Sequence, residues 1–315
     1  MMNSRPKTAA VTGATGFVGK HLIRALVGQG YQVKALTRRP QPQADKINWI
    51  EGDLGDKQAL AKLTAEADII FHLAGLVKAR AVRDFTRVNS QSVETLLDIV
   101  RNSSGRPHFI LLSSLAARER HLSAYAESKR RGEEILAQTA GDMPWTILRP
   151  PGIYGPEDLE TLKIFKAISS RIAPLPGGAA NRASWIFAPD LARAMIAVAK
   201  NENCFGQILD VDDGRQDGYA VQDLYATAAD ILRIRPYQFV VPKPVLRHAA
   251  RVNVLFSTIF GYIPMITPDK VNELCYPDWI CRGPHVMTMT EWRPETDLKS
   301  GFEMTLEWYK ENNLI

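Results

Sequence analysis

Apolar positions in the first half of the chain fall into short runs that alternate with stretches of helical periodicity. Residues 8–11 are a β-prone apolar run; Val18, Leu22, Leu26 and Val27 then recur on one helical face. Gly28 and Gly30 predict the end of that helix, and residues 31–36 form a second strand-like run. "INWIEGDLGD" predicts a strand and a polar turn. "ADIIFHLAGLVKA" is almost continuously apolar, as a strand buried on both faces should be. "DFTRVNSQSVETLLDIVRNSS" predicts a long amphipathic helix. Phe85, Val88, Val93, Leu96, Leu97 and Val100 share its apolar face, and Asn89 lies among them. "PHFILLSSLAA" predicts a fifth strand ending at Ser113 and Ser114. Strands alternating with helices predict an α/β fold around a parallel sheet.

One charge breaks this pattern. On a helix over 125–136, at ~100° per residue, Tyr125, Lys129, Gly132 and Leu136 fall on one narrow face. Ser128 and Ile135 flank it, and Glu127, Arg130, Arg131 and Glu134 lie opposite. Lys129 therefore sits on the anchoring face, and lysines are almost never fully buried unpaired. A free Tyr has a pKa near ~10, too high for ready proton exchange, and a cation one turn away lowers it. The pair reads either as a proton-transfer device or as two structural residues; Tyr-x-x-x-Lys alone does not decide.

Composition narrows the classes. The chain has 315 residues, a formal net charge of +5 and a pI near 9.0. Acidic and basic residues are interspersed, so no nucleic-acid-binding stripe is indicated. Cys204, Cys275 and Cys281 have neither a disulfide framework nor zinc spacing, so no metal is expected and a reducing, cytoplasmic setting fits. The lead "MMNSRPKTAAVTG" shows no signal peptide. The apolar run "VNVLFSTIFGYIPMI" is shorter than the roughly 20 residues needed to span a bilayer.

Gly13, Gly16 and Gly19 stand between the first strand and the first helix, with a second strand following. Glycines there let the backbone approach a pyrophosphate, and the helix N-terminus supplies free N–H donors. The alternative is a plain αβ turn. With this context, "TGATGFVG" resembles the phosphate-binding turn of the extended branch of the short-chain dehydrogenase/reductase superfamily. "YAESK" and "RPPGIYGP" (residues 149–156) extend the resemblance, which covers residues 8–211 strongly and the closing "WRPETDLKSGFEMTLEWYKENNLI" weakly.

The resemblance implies a Rossmann-type doubly wound parallel sheet over residues 6–155 and 184–212. A smaller substrate-binding region would comprise residues 156–183 and 213–315. It implies catalytic Ser114, Tyr125 and Lys129: Tyr125 as acid/base, Ser114 binding the same substrate oxygen, Lys129 steadying the nicotinamide ribose and tuning Tyr125. It implies cofactor contacts at Gly13, Thr15, Gly16, Phe17, Val18, Asp53, Leu54, Leu73, Ala74, Gly75, Tyr125, Lys129, Pro150 and Ile153. Asn89 would hold backbone near the site, and Asp190 would cap a following helix. Thr37 stands where NAD-using relatives carry Asp, and Arg38 and Arg39 follow with no carboxylate nearby in sequence. That favours NADP(H) over NAD(H); the alternative is a solvated basic turn.

Ser114 and Tyr125 are eleven positions apart. This short spacing resembles the branch of 3β-hydroxysteroid dehydrogenases, lipid-acting reductases and complex I accessory subunits rather than sugar-nucleotide epimerases. The segment 243–266 is apolar, with Lys243, Arg247 and Arg251 near its start. Leu246, Ala250, Val254 and Ile259 are expected on one helical face. The segment is then either a lid over a greasy substrate, resting peripherally on the inner face of a membrane, or a core helix. Arg182 is a candidate contact for a substrate phosphate. The expectation is an NADP(H)-dependent oxidoreductase acting on a ketone or alcohol of a lipophilic substrate, such as a 3-oxo lipid of the oxidised-ceramide kind or a steroid-like ketone. The alternatives are a nucleotide-sugar epimerase or dehydratase and a non-catalytic NADP-binding scaffold. Oligomeric state stays open.

Overall fold

The protein is described by a computed structural model covering residues 6–315 apart from 104, 263 and 265. The first half alternates as its apolar pattern predicts. β1 (Thr8–Thr12), α1 (Phe17–Gly28) and β2 (Gln32–Thr37) come first, then β3 (Ile47–Glu51), α2 (Lys57–Thr64) and β4 (Ile69–His72). α3 (Val82–Thr86) runs through a π-helical turn at Arg87–Gln91 into α4 (Ser92–Arg101). β5 (His108–Leu112), a 3₁₀ segment (Leu115–Leu122), α5 (Ala124–Thr139) and β6 (Trp145–Arg149) follow.

The second half has shorter elements. These are β7 (Gly152–Tyr154), α6 (Leu162–Ser169), β8 (Ile172–Pro176), β9 (Arg182–Ala183), β10 (Trp185–Phe187), α7 (Ala188–Ala199) and β11 (Gln207–Asp210). Next come β12 (Tyr219–Ala220), α8 (Val221–Leu232), β13 (Tyr237–Val241), α9 (Lys243–Phe260) and α10 (Pro268–Leu274). β14 (Asp278–Trp279), α11 (Val286–Met289) and α12 (Leu298–Glu311) close the chain.

Seven parallel strands form the central sheet in the order β11-β6-β5-β4-β1-β2-β3. This is the doubly wound arrangement, with α1 and α7 covering one face and α2, α4 and α5 the other. β1, β4 and β5 are mostly apolar and, Thr8 apart, buried because both of their faces are covered. Chain order reverses between β1 and β4, so the crevice beyond their carboxyl ends is where such a sheet takes a ligand. A third apolar cluster lies in the second half, built on Tyr154, Phe165, Phe302 and Tyr309.

The long helix expected over 84–104 is broken in phase by its π turn. The extra residue turns Asn89 and Ser90 inward, while Val93, Leu96, Leu97 and Val100 continue the buried face. Asp190 is not a helix cap, contrary to the sequence expectation. α7 begins two residues earlier at Ala188, with Pro189 in its first turn, and Asp190 is buried inside it. Its carboxylate pairs with Arg193 and accepts the backbone N–H groups of Glu295 and Thr296 at 3.2 and 3.1 Å.

The face expected on α9 also fails. Nine residues advance a helix by half a turn, so Ile259 points away from buried Ala250. α9 is not a core helix: Ala250 and Ser257 alone are buried, and α10 packs beneath it. Among the described residues no helix is long and apolar enough to cross a membrane.

Candidate active site

The glycine turn closes onto the neighbouring strand end. Gly13 has φ +70°, and a Cβ there would stand 2.7 Å from the Ala74 nitrogen. A Cβ on Gly19 would stand 2.1 Å from the Gly13 carbonyl oxygen. Only glycine permits the turn to lie this close to both the strand end and its own helix. Thr15 and Gly16 are exposed at the tip, Val18 is half-buried, and Phe17 packs edge-on against His21. No side chain caps the N-terminus of α1 and no acidic residue lies in its first turn, so its free N–H groups face the crevice beside β4.

Thr12 fixes the β4 side. Its hydroxyl meets His72 Nδ1 at 2.7 Å and accepts the Ala74 N–H at 3.2 Å, and His72 Nε2 meets Ser92 Oγ at 3.0 Å. Burial pushes the His72 imidazole down to about 3, so it stays neutral. Leu73, Ala74 and Gly75 thus leave β4 on a fixed path.

At the end of β2 the Thr37 hydroxyl donates to the Arg39 carbonyl at 2.6 Å, and the Arg38 and Arg39 side chains are exposed. A carboxylate is nearer than the sequence suggests: Glu51 on β3 stands in register with Thr37. Asp53 accepts the Gly55 N–H at 2.7 Å in a tight turn, beside half-buried Leu54.

The two serines at the end of β5 have different surroundings. Ser113 is buried and donates to Glu133 Oε1 at 2.5 Å; Arg149 grips the same carboxylate at 2.9 and 2.5 Å. Ser114 caps the 3₁₀ segment, accepting the Ala116 N–H at 3.2 Å, and its hydroxyl acts on that of Tyr125. Pro150 receives the Leu115 N–H at 2.9 Å, which ties the 3₁₀ segment to the turn leading to Ile153 on β7.

α5 carries Tyr125 and Lys129 on its inward side, as periodicity predicts. Lys129 is buried and donates to the Leu112 carbonyl at 3.0 Å. A Cβ on Gly75 would lie 2.9 Å from its Nζ. Burial pushes the ammonium down to about 8, opposed by the charge of Glu133. Tyr125 is half-buried beneath Phe85, with ring centroids 6.1 Å apart. Burial pushes its hydroxyl up to about 12, the Ser114 hydrogen bond works against this, and the charge of Glu273 adds to it. Desolvation of the ring and hydroxyl is the largest cause of this rise.

Asn89 accepts the Leu76 N–H at 2.8 Å and donates to Leu76 O at 3.0 Å and Ser128 Oγ at 2.9 Å. It holds the loop after β4 against α5. Two carboxylates escaped the sequence reading. Glu133 could have been found, since it follows Lys129 by one helical turn on the buried side. Glu273 could not: it lies on α10, and its partner Ser123 is 150 residues away. Arg182 does not project into the crevice; it donates to the carbonyls of Asp217 and Gly218 at 2.6 and 3.2 Å.

A glycine turn at the switch point of a doubly wound sheet, facing a Ser, a Tyr and an inward Lys, defines a dinucleotide-dependent oxidoreductase scaffold. The pattern of the NAD dependent epimerase/dehydratase family matches residues 9–209, and the chain belongs to that family. It is 36% identical over 307 residues to the ceramide reductase of Caulobacter vibrioides, covering 96% of this chain and 94% of that one. It is 30% identical over 169 residues to a farnesyl-dihydroquinoline-oxide ketoreductase of Stigmatella aurantiaca, covering 47% and 51%. The fold matches that of a UDP-glucuronic acid 4-epimerase from Bacillus cereus solved with NAD, with a TM-score of 0.76, 18% identity and coverage of 97% and 99%. The chain is an NAD(P)-dependent oxidoreductase of the extended short-chain type.

Proposed function

We propose that the protein is an NADP(H)-dependent reductase of a ketone on a lipophilic substrate, of the 3-oxo lipid or oxidised-ceramide kind. The observation that carries this reading is the meeting of Ser114, Tyr125 and Lys129 beside Gly75 at one edge of the crevice. Gly13, Thr15, Gly16, Phe17 and Val18 would hold the pyrophosphate side of the cofactor, Asp53 and Leu54 its adenine side. Leu73 to Gly75, Pro150 and Ile153 would hold its nicotinamide side. Bound there, the cofactor supplies the hydride. Tyr125, protonated at neutral pH, donates its proton to the substrate oxygen, and Ser114 hydrogen-bonds that oxygen. Lys129 holds positive charge behind both.

The exposed guanidinium groups of Arg38 and Arg39 support NADP(H). Val77, Val82, Phe260 and Tyr262 support a greasy substrate: they are exposed on the loop after β4, at the start of α3 and at and just beyond the end of α9, and a hydrogen bond from Arg80 to the Gly261 carbonyl joins the two segments. Arg182 is already engaged by the backbone carbonyls of Asp217 and Gly218. The match to a ceramide reductase along nearly the whole chain agrees with this reading. The test is cofactor oxidation and product analysis with the purified protein and a 3-oxo sphingolipid, a steroid ketone or a UDP-sugar, each with NADPH and NADH and, for the UDP-sugar, also with NAD. Turnover of the oxo-lipid with NADPH is expected; conversion of the UDP-sugar alone would overturn the reading.

A further inference from the structure

α9 is apolar on two opposite sides. Its inner side, with Leu246, Ala250, Val254 and Ser257, rests on the protein, and α10 packs beneath. Its outer side carries Val245, Val252, Phe256 and Ile259, spaced at seven, four and three residues. They are 56%, 40%, 49% and 66% exposed. Such a stripe, running over 15 of the 18 residues of the helix, is not the scattered exposure of an ordinary surface.

The charge around it is one-sided. Residues 231–268 contain five Lys or Arg, namely Arg233, Arg235, Lys243, Arg247 and Arg251, and no Asp or Glu. The formal net charge of the whole chain is +5, so the rest of the molecule is electrically balanced. At ~100° per residue, Arg247 and Arg251 lie on the side of the helix between its inner face and the stripe, Arg251 the nearer to the stripe. β13 enters α9 directly through Pro242 and adds exposed Tyr237 and Val240.

We infer that this face docks α9 in the plane of an anionic phospholipid bilayer, its apolar stripe among the acyl chains and its arginines on the headgroups. A helix with an apolar side and a basic, acid-free border has the chemistry of an interfacial helix. A protein partner would meet the stripe with acidic groups at fixed points; the acid-free basic run 231–268 that contains α9 suits a continuous anionic surface. The C-terminal end of α9 and α10, which packs on it, are linked to the candidate site in two places. Arg80 on the loop after β4 reaches the end of α9, and Asp269 of α10 accepts the N–H of Ala124 at 3.3 Å, one residue before Tyr125. A bilayer lipid would then meet the crevice without crossing water.

The inference does not depend on the proposed reaction, and its test needs no substrate. The full chain is sedimented with phosphatidylcholine vesicles and with vesicles that also contain phosphatidylglycerol. Preferential binding to the anionic vesicles is expected, weakened by salt. Val252→Glu with Phe256→Glu should lower the bound fraction at least tenfold with unchanged NADPH binding and thermal unfolding. Arg247→Gln with Arg251→Gln, which leaves the stripe intact, should abolish the preference for anionic vesicles. Wild-type protein that stays in the supernatant, or variants that bind like it, would overturn the inference. So would a dimer in sedimentation velocity that Val252→Glu dissociates, since the stripe would then bind a second copy. Oxo-lipid turnover in detergent is read separately and reports on the proposed reaction.

Discussion

The Lys129 ammonium occupies the space a side chain on Gly75 would need. It approaches the site of a Gly75 Cβ to 2.9 Å while bonding the Leu112 carbonyl at 3.0 Å. The loop after β4 must therefore be bare for the cation to stand beside the crevice. Gly75→Ala should push Lys129 off its carbonyl and lower kcat by about 10²-fold, the order expected when a reacting group is misplaced by an ångström. Steady-state kinetics with NADPH, alongside an unchanged unfolding curve, checks this.

Adjacent serines should part company. Ser114→Ala removes a hydrogen bond aimed at the substrate oxygen and should lower kcat by about 10- to 100-fold with little change in stability. Ser113→Ala should leave kcat near wild type. Glu133→Gln breaks the buried pair with Arg149 and should destabilise the fold by about 3–5 kcal/mol. Denaturant unfolding and turnover on the same preparations separate the two effects.

Which of these features could be read from the chain depends on distance along it. β1 to β6, the glycine turn and the inward Lys129 follow from local periodicity, because each is decided within about one element length. The buried role of Ser113 is not local: it depends on Glu133 and Arg149, brought together by the packing of α5 on β6. Glu51 lies beside Thr37 only because β2 and β3 pair. Ile259 leaves the face of Leu246, Ala250 and Val254 because nine residues from Ala250 advance the helix by half a turn. Asp190 looked like a cap because its true partners, the backbone at 295 and 296, are over a hundred residues away.

Acid should loosen the switch point. His72 is held neutral in the fold, with its pKa lowered from 6.5 to about 3. Below pH 6.5 the unfolded chain takes up a proton that the fold refuses, so stability is full above that pH and falls as pH drops toward 3. Between pH 7 and pH 5 this group alone should remove about 2 kcal/mol. Buried His108, lowered to about 4, should act in the same direction. His72→Asn should be less stable at pH 7 yet lose roughly half of the acid slope, measured by thermal unfolding across the range.

Alkali should silence the reductive direction through Lys129 rather than Tyr125. With its hydroxyl near 12, Tyr125 keeps its proton across the working range, so it remains able to donate. Lys129, near 8, loses its charge first. NADPH-dependent kcat should therefore hold from pH 6 to about 8 and decline above it. Lys129→Arg, whose guanidinium stays charged, should have a lower plateau that persists to higher pH. Tyr125→Phe should lower kcat by about 10³-fold at every pH while still binding NADPH. A Tyr125→Phe enzyme that keeps full turnover would remove Tyr125 as the proton donor, and an alkaline decline unchanged in Lys129→Arg would place the titrating group elsewhere.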